Sequence, residues 1–375
     1  MKKQMLLAAA LTSAGAVSAY AGTIDVSFST FVTSSAIDAV EAGNNSTIAF
    51  NFTGTQFVGS VFYDNQLYST NLSGGGLADV GVPLGTGTAA GVQSSGSVEE
   101  VAVGASLGQS GFASGDIYVG SGADGDIFHY TANGSSQSLF ATLPSGAGDV
   151  RQIFFDPGTS FGGNMLVATT SGNIYKITSG GAISLVASIG ENSEGMDIAS
   201  SAWGPYAGDL LVGSEDSGTV RLVSPTGTVT VLGSVGEFPG VETVSVVPLN
   251  LNAADPLQGF YVANYPNNIQ FATASNFMSL LGDAIITDEF GGNTMWAVSY
   301  NGTGFTVAPF TFTGNSISQF EDGEFVTSQR ETDIGNSTPE PASLLLLGPA
   351  MLGLAVGHIR KRRIALGRDL PPLQR

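Results

Sequence analysis

Carboxylates are the abundant ionisable side chains: 31 Asp and Glu stand against 12 Lys and Arg, two His and no Cys. Three acidic pairs recur in turn-like, mostly Gly-rich surroundings: Asp124-Gly125-Asp126, Glu215-Asp216 and Asp288-Glu289. Carboxylates on flexible turns suit Ca²⁺, which takes roughly six to eight oxygen ligands. Asp124, Asp126, Glu215, Asp216, Asp288 and Glu289 are therefore the metal-ligand candidates, and Ca²⁺ the one cofactor they suggest. None matches an EF-hand loop or a Gly-rich nonapeptide repeat, and solvated turn carboxylates are the plainer reading. Glu321-Asp322-x-Glu324 is a fourth acidic cluster with the same two readings.

Other catalytic sets are thin. Outside the tail His129 is alone, which excludes a multi-His zinc site and makes it the one base available to a His-dependent triad; its place in the alternating run Ile127-Phe128-His129-Tyr130 fits packing better. Gly104-Ala105-Ser106-Leu107-Gly108 has the Gly-x-Ser-x-Gly form of a nucleophile elbow, but that motif needs a helix straight after the serine, and Gly108, Ser110 and Gly111 oppose one. Tyr261, Tyr265, Trp203 and Tyr206 are candidates to stack on sugars or to pack between strands. No residue is assigned as catalytic.

The elements that must position these residues repeat. Asp116-Ile-Tyr-Val-Gly is followed by Asp126-Ile-Phe-His-Tyr and Ser138-Leu-Phe-Ala-Thr; Asn164-Met-Leu-Val-Ala by Asn173-Ile-Tyr-Lys-Ile and Ile183-Ser-Leu-Val-Ala; Asp209-Leu-Leu-Val-Gly by Thr219-Val-Arg-Leu-Val and Val229-Thr-Val-Leu-Gly. Weaker copies begin at Gln56, Gly259 and Asp283. Starts at 116, 164, 209 and 259 lie 48, 45 and 50 residues apart. Apolar runs such as Val150 to Phe155 and Val241 to Val247 precede several copies. Four short strands in a period of about 40 to 50 residues describe a β-propeller blade, since one such sheet cannot bury both faces alone. The expectation is an all-β propeller over 46–327, six four-stranded blades with five or seven as alternatives. Ser46 to Phe52 or Phe320 to Thr327 would supply the closing strand. Residues 22–45 are ambiguous between a strand at Ile24 to Phe28 and a short helix at Ala36 to Ala42.

The two ends read differently. Met1-Lys2-Lys3, an apolar stretch from Met5 to Val17, and the small residues Ala19 and Ala21 form a signal peptide over 1–21, with cleavage by signal peptidase before Gly22. After a polar spacer, 328–337, comes Thr338-Pro339-Glu340-Pro341. An uncharged Leu/Ala/Gly-rich run from Ala342 to Gly357 follows, then Arg360-Lys361-Arg362-Arg363. Pro339 and Pro341 hold the segment extended. The run is short beside the roughly 20 residues that a bilayer asks for, with Ile359 extending it, and is read as a single transmembrane helix whose basic end stays cytoplasmic. Residues 364–375 would be a short cytosolic extension.

This order of Pro-Glu-Pro, apolar span and basic cluster resembles the PEP-CTERM sorting signal of exosortase substrates, over residues 338–363. The resemblance implies that an exported chain of a Gram-negative bacterium is held in the inner membrane until an exosortase-type membrane peptidase acts on it, Pro339, Glu340 and Pro341 being the sorting motif and Arg360, Lys361, Arg362 and Arg363 the basic stop. It also implies a link with extracellular polysaccharide and biofilm. The twelve residues after Arg363 depart from the pattern, which usually stops there.

Between the two ends, residues 22–337 hold 29 acidic and 4 basic side chains, a net of 25 negative charges. Such a surface repels nucleic acid and anionic lipid. Without cysteine, burial alone must hold the fold, which a chain of this length can supply. The expected function is an exported, cell-surface or matrix-associated interaction protein without catalysis; the alternative is a Ca²⁺-dependent propeller lactonase or sugar lyase or hydrolase. Carboxylates ringing the mouth of the central channel would favour the alternative, and an apolar plug would oppose it.

Overall fold

A computed structural model describes residues 23–41, 46–62, 64–81, 100–121, 125–232, 238–290 and 293–327, together with the backbone of 17–19. In chain order the strands begin with β1 (Val17–Ala19) and β2 (Ile24–Val32), followed by the one-turn helix α1 (Ser34–Asp38). Four sheets of four antiparallel strands come next. They are β3 (Thr47–Phe52), β4 (Gln56–Val61), β5 (Asp64–Asn71) and β6 (Ala78–Asp79); β7 (Val103–Ala105), β8 (Ile117–Gly120), β9 (Asp126–Tyr130) and β10 (Gln137–Thr142); β11 (Val150–Phe155), β12 (Met165–Thr169), β13 (Asn173–Ile177) and β14 (Ile183–Ser188); and β15 (Ser193–Ile198), β16 (Leu210–Ser214), β17 (Val220–Val223) and β18 (Val229–Val231). The remaining strands are β19 (Val241–Val246), β20 (Gly259–Asn264), β21 (Asn268–Thr273), β22 (Ala284–Asp288), β23 (Met295–Tyr300), β24 (Phe305–Gly314) and β25 (Phe320–Val326).

The repeated Gly-Asp or Gly-Asn now has a structural reason. The N–H just past an inner strand donates to the carbonyl of the residue that opens the second strand: Ser106 to Asp116 at 2.9 Å, Asp156 to Asn164 at 2.9 Å, Ala199 to Asp209 at 2.8 Å and Val247 to Asp283 at 2.9 Å. One polar residue per repeat closes the same turn, and the apolar residues after it enter the core. β3, β15 and β19 are buried along their whole length. Between sheets the packing is aromatic and close. Phe112 meets Phe155 edge-on at 4.9 Å and Tyr118 at 5.6 Å. Backbone approach demands small residues: a Cβ on Gly213 of β16 would lie 2.2 Å from Val241 Cγ1, and one on Gly195 of β15 would lie 2.2 Å from the backbone N of Val244.

The propeller-like arrangement holds, but the expected set of six separate four-stranded blades does not. Four sheets stand alone, and the other strands form one nine-stranded sheet in the order β19-β22-β23-β24-β2-β21-β20-β25, with β1 also on β24. The cause is a swap of strands. After β19 the chain builds the hairpin β20–β21, returns to β22, β23 and β24 beside β19, then lays β25 against β20. The outer partner of β21 comes from the N-terminus: β2 pairs antiparallel with β21 and parallel with β24, Ile24 to Phe28 opposite Phe310 to Gly314. β2 thus completes the outer side of β20–β21, while the two closing-strand candidates, Ser46 to Phe52 and Phe320 to Thr327, supply the inner strands β3 and β25.

The expected transmembrane run at Ala342 to Gly357 lies outside the described residues. Among those described, no helix is long and apolar enough to cross a membrane.

Candidate functional site: an acidic mouth on the inner ring

The inner strands β3, β7, β11, β15, β19 and β25 each touch the next, and β25 touches β3, so they form a closed ring. The side chain at or just before the start of each inner strand reaches one end of that ring. Four are the second residues of their strands: Ile48 of β3, Arg151 of β11, Glu242 of β19 and Glu321 of β25; Glu100 lies just ahead of β7. Together with Glu215 and Glu289 from turns, Gln319, and the aromatic rings of Phe62, Tyr265 and Phe290, they enclose a cavity of about 290 Å³. Glu194, second in β15, joins them by an ion pair to Arg151.

Among the described residues, Arg151 is the one cation at this mouth. Its Nη1 lies 2.9 Å from Glu100, and its Nη2 3.3 Å from Glu215 and against Glu194. Burial works against its charge, but Glu100, Glu242, Glu215 and Glu289 outweigh burial and raise its pKa. Glu215 also accepts from Asn192 Nδ2. Gln319 Nε2 donates to Glu289 and Glu321, each at 2.9 Å. Glu242 is 6% exposed; among the described residues its side chain makes no hydrogen bond or close ion pair, and Arg151 is the attractive charge acting on it. Burial first, then repulsion from Glu100 and Glu289, pushes its carboxyl well above the usual range. Burial, with Glu242, Glu100 and Glu289 adding, pushes Glu321 up to about 11. The mouth therefore holds protonated carboxyls beside others that share Arg151, because so many negative charges cannot all ionise in one low-dielectric space.

Further along the ring the carboxylates have a different task. Asp322 Oδ2 accepts from the Phe50 N–H at 3.1 Å and Glu324 Oε2 from the Phe52 N–H at 2.8 Å, stitching β25 to β3. Asp197 Oδ2 accepts from Val246 at 2.7 Å and Asn51 Oδ1 from Ala105 at 3.1 Å, joining two further pairs of inner strands. The unpaired edge of each of these inner strands is thereby satisfied by the neighbouring sheet. Removal from water pushes Asp322 up to about 8 against the pull of that Phe50 bond.

The sequence-derived candidates scatter. Glu215 and Glu289 meet at the mouth. Their neighbours do not join them: Asp216 is exposed, and Asp288 is buried at the end of β22, where the Thr294 hydroxyl donates to it. Asp126 heads β9 and accepts from Thr142 Oγ1 at 2.5 Å, while Asp124 lies outside the described residues. Asp126 therefore does not share the mouth with Glu215 and Glu289. Among the described residues no group of three or more His, Cys, Asp or Glu is arranged to hold a metal ion. Glu321, Asp322 and Glu324 are inner-ring residues and not surface turn acids.

His129 Nε2 lies 2.6 Å from Asp116, and its ring stacks on Tyr118, a packing role. Ser106 is fully buried in a turn with Gln109 and heads no helix. Trp203 and Tyr261 are buried, Tyr206 packs on Phe305, and Tyr265 alone of the four aromatic candidates lines the mouth. Pro339, Glu340, Pro341, Arg360, Lys361, Arg362, Arg363 and Ala21 lie outside the described residues, and Ala19 ends β1. Arg151, Glu100, Glu194 and Glu242 were missed from sequence. A charged residue at or beside the start of an otherwise apolar strand, repeated ahead of successive copies, is the signal that would have found them.

No protein-family model matches the sequence, and no curated protein matches it. Among solved structures the chain is similar to a streptogramin B lyase (13% identity, TM-score 0.45, covering 80% of this chain and 95% of that one). It is also similar to the virginiamycin B lyase of Staphylococcus aureus (14%, TM-score 0.42, 76% and 92%) and to the calcium-binding protein regucalcin of Agrobacterium tumefaciens (12%, TM-score 0.48, 85% and 92%).

Proposed function

We propose that this chain is an exported binding protein whose ligand sits at the acidic mouth of the inner ring. The observation that carries the reading is the convergence there of Arg151, Glu242 and Glu321 from inner strands and Glu100 from just ahead of one, together with Phe62, Tyr265 and Phe290. Charged groups buried without structural need are a cost that binding can offset. We read the nine-stranded sheet as two blades fused at β2 and β24, which makes the ring six-fold. The signal peptide and the PEP-CTERM-like tail would deliver this mouth to the cell surface through signal peptidase and an exosortase, with extracellular polysaccharide as the expected partner. Retention of the purified protein on polysaccharide from its host, wild type against the Glu242→Gln/Glu321→Gln double variant, tests the site. Equal retention would remove the mouth from the contact. Mass spectrometry of the protein from cells with and without the sorting peptidase tests the route: a C-terminus near Pro341 that reverts to Arg375 on deletion supports it, and Arg375 in both strains overturns it.

An enzymatic reading has two observations in its favour: carboxylates do ring the mouth, the arrangement that favours the Ca²⁺-dependent alternative, and a proton donor stands beside acceptors there. Glu321 is held protonated in the same cavity as carboxylates paired with Arg151, so a proton donor and an acceptor face one space. Turnover of lactone or glycoside substrates in CaCl₂, abolished by Glu321→Gln, would establish it.

A further inference from the structure

The carboxyls of the mouth surround a space far larger than an ion. About 290 Å³ is several times the roughly 30 Å³ share of one water molecule. No three of the described acids converge closely enough to ligate a metal together. Glu242, nine-tenths buried and with no hydrogen bond or close ion pair to its carboxyl among the described residues, lines that space. The lining adds the aromatic rings of Phe62 and Tyr265, packed edge-to-face on each other at 5.2 Å, and of Phe290, which is 63% exposed. Spread acceptors, an unpaired buried carboxyl and aromatic faces together suit an N–H-bearing cation of organic size, which can hydrogen-bond to several oxygens and rest against a ring. A bare metal ion uses neither the rings nor the volume.

We infer that the mouth is specific for an organic cation, a primary ammonium group on a ligand of metabolite size, with Glu242 as its ion-pairing partner. The inference rests on the binding reading above only in placing a ligand at the mouth; it does not depend on polysaccharide being that ligand. Glu242 is faced by Glu100, Glu215, Glu289, Glu321 and Arg151. An entering ammonium supplies the charge that Arg151 alone does not, so Glu242 gives up its proton to solvent as the ligand binds.

The test is titration calorimetry of the purified protein at pH 7 in two buffers of different ionisation enthalpy. Cadaverine is the probe and 1,5-pentanediol its neutral isostere. Cadaverine should bind with proton release, the diol should bind at least tenfold more weakly, and Glu242→Gln should cost at least tenfold in affinity and abolish the proton release. Equal binding of cadaverine and the diol, an unaffected Glu242→Gln variant, or binding without proton release each overturns the inference, as does saturable CaCl₂ binding at the mouth that cadaverine cannot displace. Glu215→Gln is a second variant, should Glu242→Gln lose its native melting transition. If the diol binds as well as cadaverine and both are lost in the variants, the mouth remains a binding site and only its charge preference fails.

Discussion

Glu321 shows what a carboxyl costs inside the ring. Its folded pKa, about 11, lies far above the unfolded value. The fold therefore holds a proton that the unfolded chain releases above its ordinary carboxylate pKa. Such a group's stabilisation is full below the unfolded pKa and is lost as pH rises toward 11. Glu242 and Asp322 shift in the same direction. The melting temperature should fall from pH 5 to pH 9, and Glu321→Gln should flatten that fall and raise stability at pH 9, as scanning calorimetry would show. An unchanged slope in the variant would place the buried proton elsewhere. Arg151→Met has the opposite effect. It strands Glu194, Glu100 and Glu215 without a cation, a loss of about 3 to 5 kcal/mol for breaking a buried pair from one side. Part of that loss should return at pH 5, where the stranded carboxyls protonate, and denaturant titrations at pH 5 and pH 8 would separate the two.

Strands and sheets were legible where partners are close in sequence. The units beginning at Asp116, Asn164 and Asp209 each became one sheet because hairpins of a few residues join their strands. The copies at Gly259 and Asp283 misled because both lie in one sheet: β20–β21 draws its inner neighbour β25 from beyond residue 319 and its outer neighbour β2 from the first 32 residues. No local pattern encodes a pairing across that distance. Ile24 to Phe28 alternates as a strand should, but nothing nearby indicates what it pairs with. The mouth was half legible for a similar reason. Glu215 and Glu289 drew notice as adjacent acids, whereas Glu194 and Glu242 have no acid beside them in sequence, and only closure brings them to Arg151. At this scale Gly213→Ala should cost about 1 to 3 kcal/mol by forcing β16 away from Val241. A urea midpoint within error of wild type would show that the sheets can part there freely.

As a whole the molecule carries a formal charge of −19, and more negative charge still once its basic ends are set aside. Long-range repulsion of that size keeps the protein soluble and draws cations toward it, but it falls off over the Debye length, about 8 Å in physiological salt. The attraction of the surface is therefore general, and selectivity has to come from the mouth. The order of the strands adds a matter of timing. The sheets between Thr47 and Val231 can each form from contiguous chain, but Ile24–Val32 has no partner until 268–273 and 305–314 exist. Glu321, on β25, is the last mouth residue along the chain. Contacts of such sequence separation form slowly, so the site is the final part of the molecule to be built. In refolding experiments, ligand binding should return only with the slowest phase, well after most β-structure has formed. The mouth thus reports that the ring has closed, and a chain stalled short of closure would be well ordered over most of its length and still unable to bind.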